Sequence, residues 1–187
     1  MTRNVRFPGA NVRFPGAGAV TNQHQRQLPV PAAVVGQLID TLAGPGDRLW
    51  PTEQWPAMSF DRPLSVGARG GNGPIRYHVD TYTPGELIRF RFEAPAGFDG
   101  YHEYVAVRSS PGSTVLRHCL VMRTTGPARL SWPLVFRPLH DALIEDSLDK
   151  ASRRVGLKSP EPRQWSWRVR ILRAVARRVQ RRRGSSR

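Results

Sequence analysis

The apolar and polar positions of this chain change period as it runs. "NQHQRQLPV" alternates weakly from Asn22 and predicts a first strand. Pro31 then opens "PAAVVGQLIDTL", where Val34, Val35, Leu38, Ile39 and Leu42 fall on one helical stripe. "AGPGDRLWPTEQWPAM" is too rich in Pro and Trp for a long helix and predicts a short helix or turn. Five strand candidates follow: "MSFDRPLSVG", "PIRYHVDTY", "ELIRFRFEA", "GYHEYVAVR" and "STVLRHCLVMR". Their short connections, "TPGE", "APAGFDG" and "SPGS", predict antiparallel neighbours. Ile75, Tyr77 and Val79 share one face, as do Ile88, Phe90 and Phe92, with Arg89 and Arg91 opposite, so one face packs and the other is wet. A long helix from about Ala128 to Val155 carries Trp132, Val135, Phe136, Leu139, Leu143 and Leu148 as its stripe. One long helix laid on a curved antiparallel sheet of about six strands is an α+β layer.

The ends of the chain read differently from its middle. "NVRFPGA" stands twice in tandem at 4–10 and 11–17, too short a unit for a solenoid, and residues 1–21 are expected to be a disordered leader. Residues 22–157 form the domain, and 158–187 a basic tail set off by the two prolines of "SPEP". The formal net charge is +15, and the stretch from Pro160 carries ten Arg against one Glu. The charge therefore belongs mainly to the tail and points to an anionic partner there. "WSWRVRILRAVARRVQRRR" predicts an amphipathic helix with Trp165, Val169, Leu172, Ala176 and Val179 on one face and Arg170, Arg173, Arg177 and Arg181 on the other. Such a helix packs its apolar stripe on the domain, lies on an anionic membrane, or grips nucleic acid, the last without a base-reading module beside it. No run is long and apolar enough to span a membrane, and no signal-peptide h-region follows Arg3 and Arg6, so a cytoplasmic protein, peripheral to membranes at most, is expected.

The candidate chemistry lies in the hairpin "YHEYVAVRSSPGSTVLRHCLVM". A turn at "SPGS" sets Glu103 opposite Leu120 and His118 opposite Val105, which places the acid and the base diagonally on one otherwise apolar face. Such a pair satisfies itself in a cavity wall, works as an acid–base couple, or is split by a bulge or one-residue slip that turns one side chain to the other face. His102 then falls on the face opposite Glu103, with Cys119, and His78 on the Arg76/Asp80 face. His140, on the long helix beside Phe136, edges the pocket. The histidine spacings match no metal motif and the lone Cys119 excludes a disulfide or multi-cysteine site, so no metal and no cofactor are expected. "GARGGNG" lacks the Lys-Ser/Thr of a phosphate loop and is expected to be a flexible loop at the cavity mouth.

"LPVPAAVVGQLIDTL", "LWPTEQWPAM", "GNGPIRYHVDTYTPGELIRFRFEAPAGFDGYHEYVAV" and "WPLVFRPLHDALIEDSLDKA", in that order, resemble the START-like superfamily, also called SRPBCC, and within it the polyketide cyclase/dehydrase and lipid-transport branch. The resemblance covers about residues 22–157 and implies a helix-grip fold, in which the sheet wraps the long helix around a cavity. Members bind sterols, lipids, polyketides, quinones or hormones there, and some are cyclases, but they share no catalytic motif.

The first functional expectation is therefore a binder of a hydrophobic small molecule, with Trp55, Tyr77, Val79, Phe90, Phe92, Val105, Leu120, Phe136 and His140 around the ligand. The second is an aromatase/cyclase-type enzyme in which Glu103 and His118 are the catalytic pair. The third is an adaptor that meets a membrane or polyanion through Trp165, Arg170, Arg173, Arg177 and Arg181.

Overall fold

In the computed structural model, residues 18–157 and 164–184 are described, with side chains as far as Arg178. The repeated leader and the "SPEP" junction lie outside these residues. Seven strands form one antiparallel sheet: β1 (Ala19–Leu28), β2 (Ser59–Phe60), β3 (Arg69–Asn72), β4 (Ile75–Thr83), β5 (Leu87–Ala94), β6 (Phe98–Ser110) and β7 (Ser113–Thr124). Their order across the sheet is β1-β7-β6-β5-β4-β3-β2. Strands β4 to β7 follow one another as a meander because their connections are short. The segment expected to be a flexible glycine loop contains β3, which pairs with β4, while "MSFDRPLSVG" contributes only the two residues of β2. Glycine at positions 70 and 71 suits this place, since a Cβ on Gly70 would strike the Ser59 carbonyl of β2.

Helix α1 (Ala32–Asp40) caps one end of the sheet and buries Val35, Leu38 and Ile39. Gly36 makes this docking possible: a Cβ there would stand 2.0 Å from the Gly85 carbonyl in the β4–β5 turn. The closing helical run is continuous but not uniform. It consists of α2 (Ala128–Ser131), a π-helical turn (Trp132–Phe136) and α3 (Arg137–Arg154). Pro133 and Pro138 withhold two of the amides that α-helical pairing needs, and the Arg137 amide bonds instead to the Trp132 carbonyl. The wider turn leaves Leu134 and Val135 exposed, so Val135 does not belong to the buried stripe. Leu143, Ile144, Leu148 and Ala151 of α3 pack against the sheet, α1, Leu49 and Trp50.

The tail helix α4 (Trp167–Gly184) lies against the domain. Val169 is buried in the main core, and Arg168 Nη2 donates to the Leu134 carbonyl at 3.0 Å. Pro138, four residues after Leu134, has no N–H to offer that carbonyl, so the arginine supplies the missing donor. Of the residues expected to meet a membrane, Trp165 and Arg173 turn inward, Arg170 and Arg177 are exposed, and the Arg181 side chain is outside the described set.

The β6–β7 register corrects the expected pairing. Ser110 pairs with Ser113 at the turn, but an irregularity between Arg108 and Ser110 absorbs one residue, and Arg108 already faces Thr114. From there Tyr104 faces His118, Glu103 faces Cys119 and His102 faces Leu120. One extra residue exchanges the faces of one strand relative to the other. Glu103 and His118 are therefore on opposite faces, and the proposed acid–base couple is not brought together. Val105 also leaves the expected ligand face, and Cys119 lies with Glu103 instead of His102.

On that outer face Glu103 is only 1% exposed and is held by Arg89, whose Nη2 stands 2.7 Å and Nε 2.8 Å from Oε2. The Arg89 guanidinium also covers the Tyr101 ring at 4.1 Å. Removing one partner of a buried ion pair strands the other charge. Arg89→Met should thus destabilise the domain by about 3 kcal/mol in urea denaturation, whereas an unchanged midpoint would show that Glu103 does not depend on it.

Candidate ligand cavity

The inner face of the sheet, the helical run and α4 surround a cavity of about 480 Å³. This lies within the size range of small-molecule sites. Its apolar walls are Tyr77 from β4, Phe92 from β5, Phe98 from β6, Leu120 from β7, and Trp132, Phe136, Leu139 and Ile144 from the helical run. Alternation on each strand delivers these residues to one side, and the π turn aims Trp132 and Phe136 at Phe98, at ring distances of 5.9 and 5.1 Å. The lining residues that remain exposed belong to three segments: Thr52, Glu53, Gln54 and Pro56 before β2, Pro74 in the β3–β4 turn, and Ala176 and Arg177 of α4. These form the mouth.

Of the residues expected around a ligand, Trp55, Tyr77, Phe92, Leu120, Phe136 and His140 line the cavity. Val79 and Phe90 are fully buried in the core and are not among its walls, and Val105 is on the other side of the sheet.

The polar part of the wall is made of histidine. His102 Nδ1 and His118 Nε2 are 3.3 Å apart, and His140 lies over His118 at a ring distance of 5.1 Å. His102 packs between aromatic rings, 5.0 Å from Tyr77, 5.0 Å from Phe90 and 5.2 Å from Phe92. Next to them Tyr104 bonds to Ser147 at 2.9 Å. Burial drives the His102 pKa down to about 3, with His140 adding to the effect. Burial also holds His118 well below the usual imidazole range, helped by His140, His102 and His24. His140 is lowered by burial against the opposing pull of Asp141. All three are neutral at pH 7, each with one donor and one acceptor nitrogen. His118 Nδ1 and both ring nitrogens of His140 find no hydrogen-bond partner.

A second cluster adjoins this corner. His24 of β1 pairs across the sheet with His118, placing it on the same face. Its Nε2 is 3.2 Å from Asp141 Oδ1 and its Nδ1 2.7 Å from Glu145 Oε1, and hydrogen bonding to Asp141 raises its pKa first, with Glu145 adding to it. His24, His102 and Asp141 were missed in the sequence. Placing β1 beside β7 would have found His24, and the one-residue shift in β6 would have found His102.

The mouth is latched. Trp55 Nε1 and Trp165 Nε1 both donate to Asp146 Oδ2, at 2.7 and 3.0 Å. The Arg173 guanidinium lies over both indoles, 4.4 Å from Trp55 and 3.6 Å from Trp165, and donates to the Gln54 carbonyl. Burial, with Arg177 beside it, lowers the Arg173 pKa to about 10, so it stays charged at neutral pH.

No family model matches the chain, and no curated protein matches it in sequence. Solved structures do match in fold. Norcoclaurine synthase of Thalictrum flavum, as a point mutant with a transition-state analogue, shares 14% identity over 73% of this chain and 94% of its own, with a TM-score of 0.56. CalU16 from Micromonospora echinospora shares 14% over 84% of each chain at a TM-score of 0.54. A START superfamily protein from Mycobacterium smegmatis shares 14% over 72% of this chain and 96% of its own at 0.51. This chain has the START-like helix-grip fold: a curved antiparallel sheet closed over a long C-terminal helix.

Depressed histidine pKa values have a definite pH signature. A base with a lowered native pKa contributes stability that is intact above its unfolded pKa, near 6.5, and is lost as pH falls toward the native value. His102 therefore steepens the fall in stability between pH 6 and 4 by about one proton, roughly 1.4 kcal/mol per pH unit. In urea denaturation across this range, His102→Phe should lose that share of the slope; an equal slope in both proteins would mean His102 is protonated in the native state.

Proposed function

We propose that the protein binds an apolar small molecule bearing one hydrogen-bonding group inside this cavity. The observation that carries the reading is the pairing of aromatic and aliphatic walls with a single corner of buried, neutral imidazoles. A wholly apolar ligand would leave the free His118 Nδ1 unsatisfied, and an unmet buried polar group costs about 1–3 kcal/mol. A strongly charged ligand would find His102 and His118 neutral, with no formal charge on them to offset its desolvation. The transition-state analogue in complex with the Thalictrum flavum protein supports the capacity of the fold to take a small molecule. Nothing in the corner supports the Glu103–His118 couple, so binding is favoured over a cyclase that uses it.

The test uses naphthalene and 2-naphthol, competing with the apolar dye Nile red. 2-Naphthol should bind about tenfold more tightly than naphthalene, and His118→Leu should remove the preference while keeping dye binding. Leu120→Trp should fill the cavity and displace all three. Dye binding that ignores Leu120→Trp would place it elsewhere and overturn the reading.

The outer side of α4 supports a second property, contact with an anionic membrane surface. Trp167, Ile171 and Val175 project outward, 73%, 54% and 57% exposed. Arg168, Arg170, Arg177 and Arg178 flank them, and α4 carries no acidic residue. Leu130 and Leu134 are also exposed, and Arg168 ties α4 to Leu134. Exposed apolar groups between arginines match a headgroup interface, where each basic residue contributes about 1 kcal/mol. This face is not the one expected from the sequence, since Trp165 and Arg173 hold the domain. Among the described residues no helix is long and apolar enough to cross a membrane. Vesicles containing phosphatidylserine should retain the protein in low salt, and Trp167→Ser with Ile171→Ser should release it without a change in melting. Retention by duplex RNA but not by vesicles would assign the face to nucleic acid.

A further inference from the structure

We propose that His24, His140 and Asp141 form a binding site for a first-row divalent metal ion of the zinc type, at the histidine end of the cavity. One donor atom from each of the three lies within 4.8 Å of the others. His24 Nε2 is 3.2 Å and His140 Nδ1 3.6 Å from Asp141 Oδ1. Ligands bound at about 2.0–2.2 Å in tetrahedral geometry stand about 3.3–3.6 Å apart, so the two separations from Asp141 suit a shared ion. Two imidazoles and one carboxylate are a ligand set for zinc or non-haem iron.

Three further observations point the same way. A ligating histidine is normally oriented by a carboxylate on its other nitrogen. His24 Nδ1 has such a partner in Glu145 Oε1 at 2.7 Å, and Arg26 holds the other oxygen of Glu145 at 3.0 Å. His140 is the converse case. Its side chain is 17% exposed, neither ring nitrogen is hydrogen-bonded, and its contact with Asp141 is too long for a hydrogen bond. An ion would satisfy its Nδ1. Asn22 adds a fourth donor: its Nδ2 donates to Asp141 Oδ1 at 2.8 Å, while its own Oδ1 is buried without a partner. A half-turn of the amide puts the oxygen where the nitrogen now stands.

The triad joins the first strand to the last helix of the domain, so an ion would clamp the edge of the sheet to α3. His140 is also a wall of the cavity, which puts the site beside any ligand held there. The inference rests on the triad's own geometry and does not depend on the cavity being occupied.

The experiment uses the full chain without an affinity tag, stripped with a chelator and titrated with Co²⁺, with Zn²⁺ as competitor. One Co²⁺ per chain, with visible ligand-field absorption abolished by Zn²⁺, is the expected result. His24→Ala, His140→Ala and Asp141→Asn should each weaken binding by more than about a hundredfold, and Glu145→Gln by about 10–100-fold. If His24→Ala does not fold, His140→Ala and Glu145→Gln decide. Absence of Co²⁺ absorption, or binding that survives loss of His140 and of the Glu145 carboxylate alike, overturns the site and leaves His24 as a cation between two carboxylates.

Discussion

A single residue of offset in the β6–β7 hairpin decides what the inside of this molecule is. The irregularity beside Ser109 sets the parity of two strands against each other. With it, His102, Tyr104, His118 and Leu120 face α3, while Tyr101, Glu103, Cys119 and Val121 face outward. Without it, a carboxylate would enter the cavity in place of an imidazole. The outer set is consistent with this parity: Glu103 is matched to Arg89 across the neighbouring strand, where neither charge needs the interior.

The fold was legible because period and order survive local error. Alternation in β4 and β5, the short turns between strands and the stripe of α3 suffice to define a sheet closed by a helix. Parity was not legible, since a bulge in "RSS" has no side-chain signature of its own and the Pro-Gly turn was placed correctly. The histidine cluster failed for a related reason. His24, His118 and His140 come from three distant segments, and their meeting depends on β1 lying beside β7, a pairing that no local pattern specifies. The prolines of "WPLVFRPLH" were visible, but not the wide turn they enforce or the exposure of Leu134 that follows.

The tail shows how a charge count can mislead about contact. Arg173 is as strongly basic in sequence as Arg170, yet it is sandwiched by two indoles while Arg170 is solvated. The difference comes from Asp146, which takes the indole N–H of both Trp55 and Trp165 and so fixes the slot the guanidinium fills. Arg168 likewise serves a carbonyl that Pro138 cannot. Arginine acts here as a joint between α4 and the domain, because its planar fork can stack and donate at once.

The hydrogen bond between His102 and His118 is symmetric in kind, since either neutral ring can be the donor. When His118 Nε2 donates to His102, the free His118 Nδ1 is an acceptor. When His102 donates instead, that same nitrogen carries the proton and becomes a donor. The two tautomeric arrangements keep the internal bond and invert what the cavity offers its guest. A phenol and a ketone would thus meet the same nitrogen with opposite polarity, and selectivity would reside in the shape of the walls instead of the sense of one hydrogen bond.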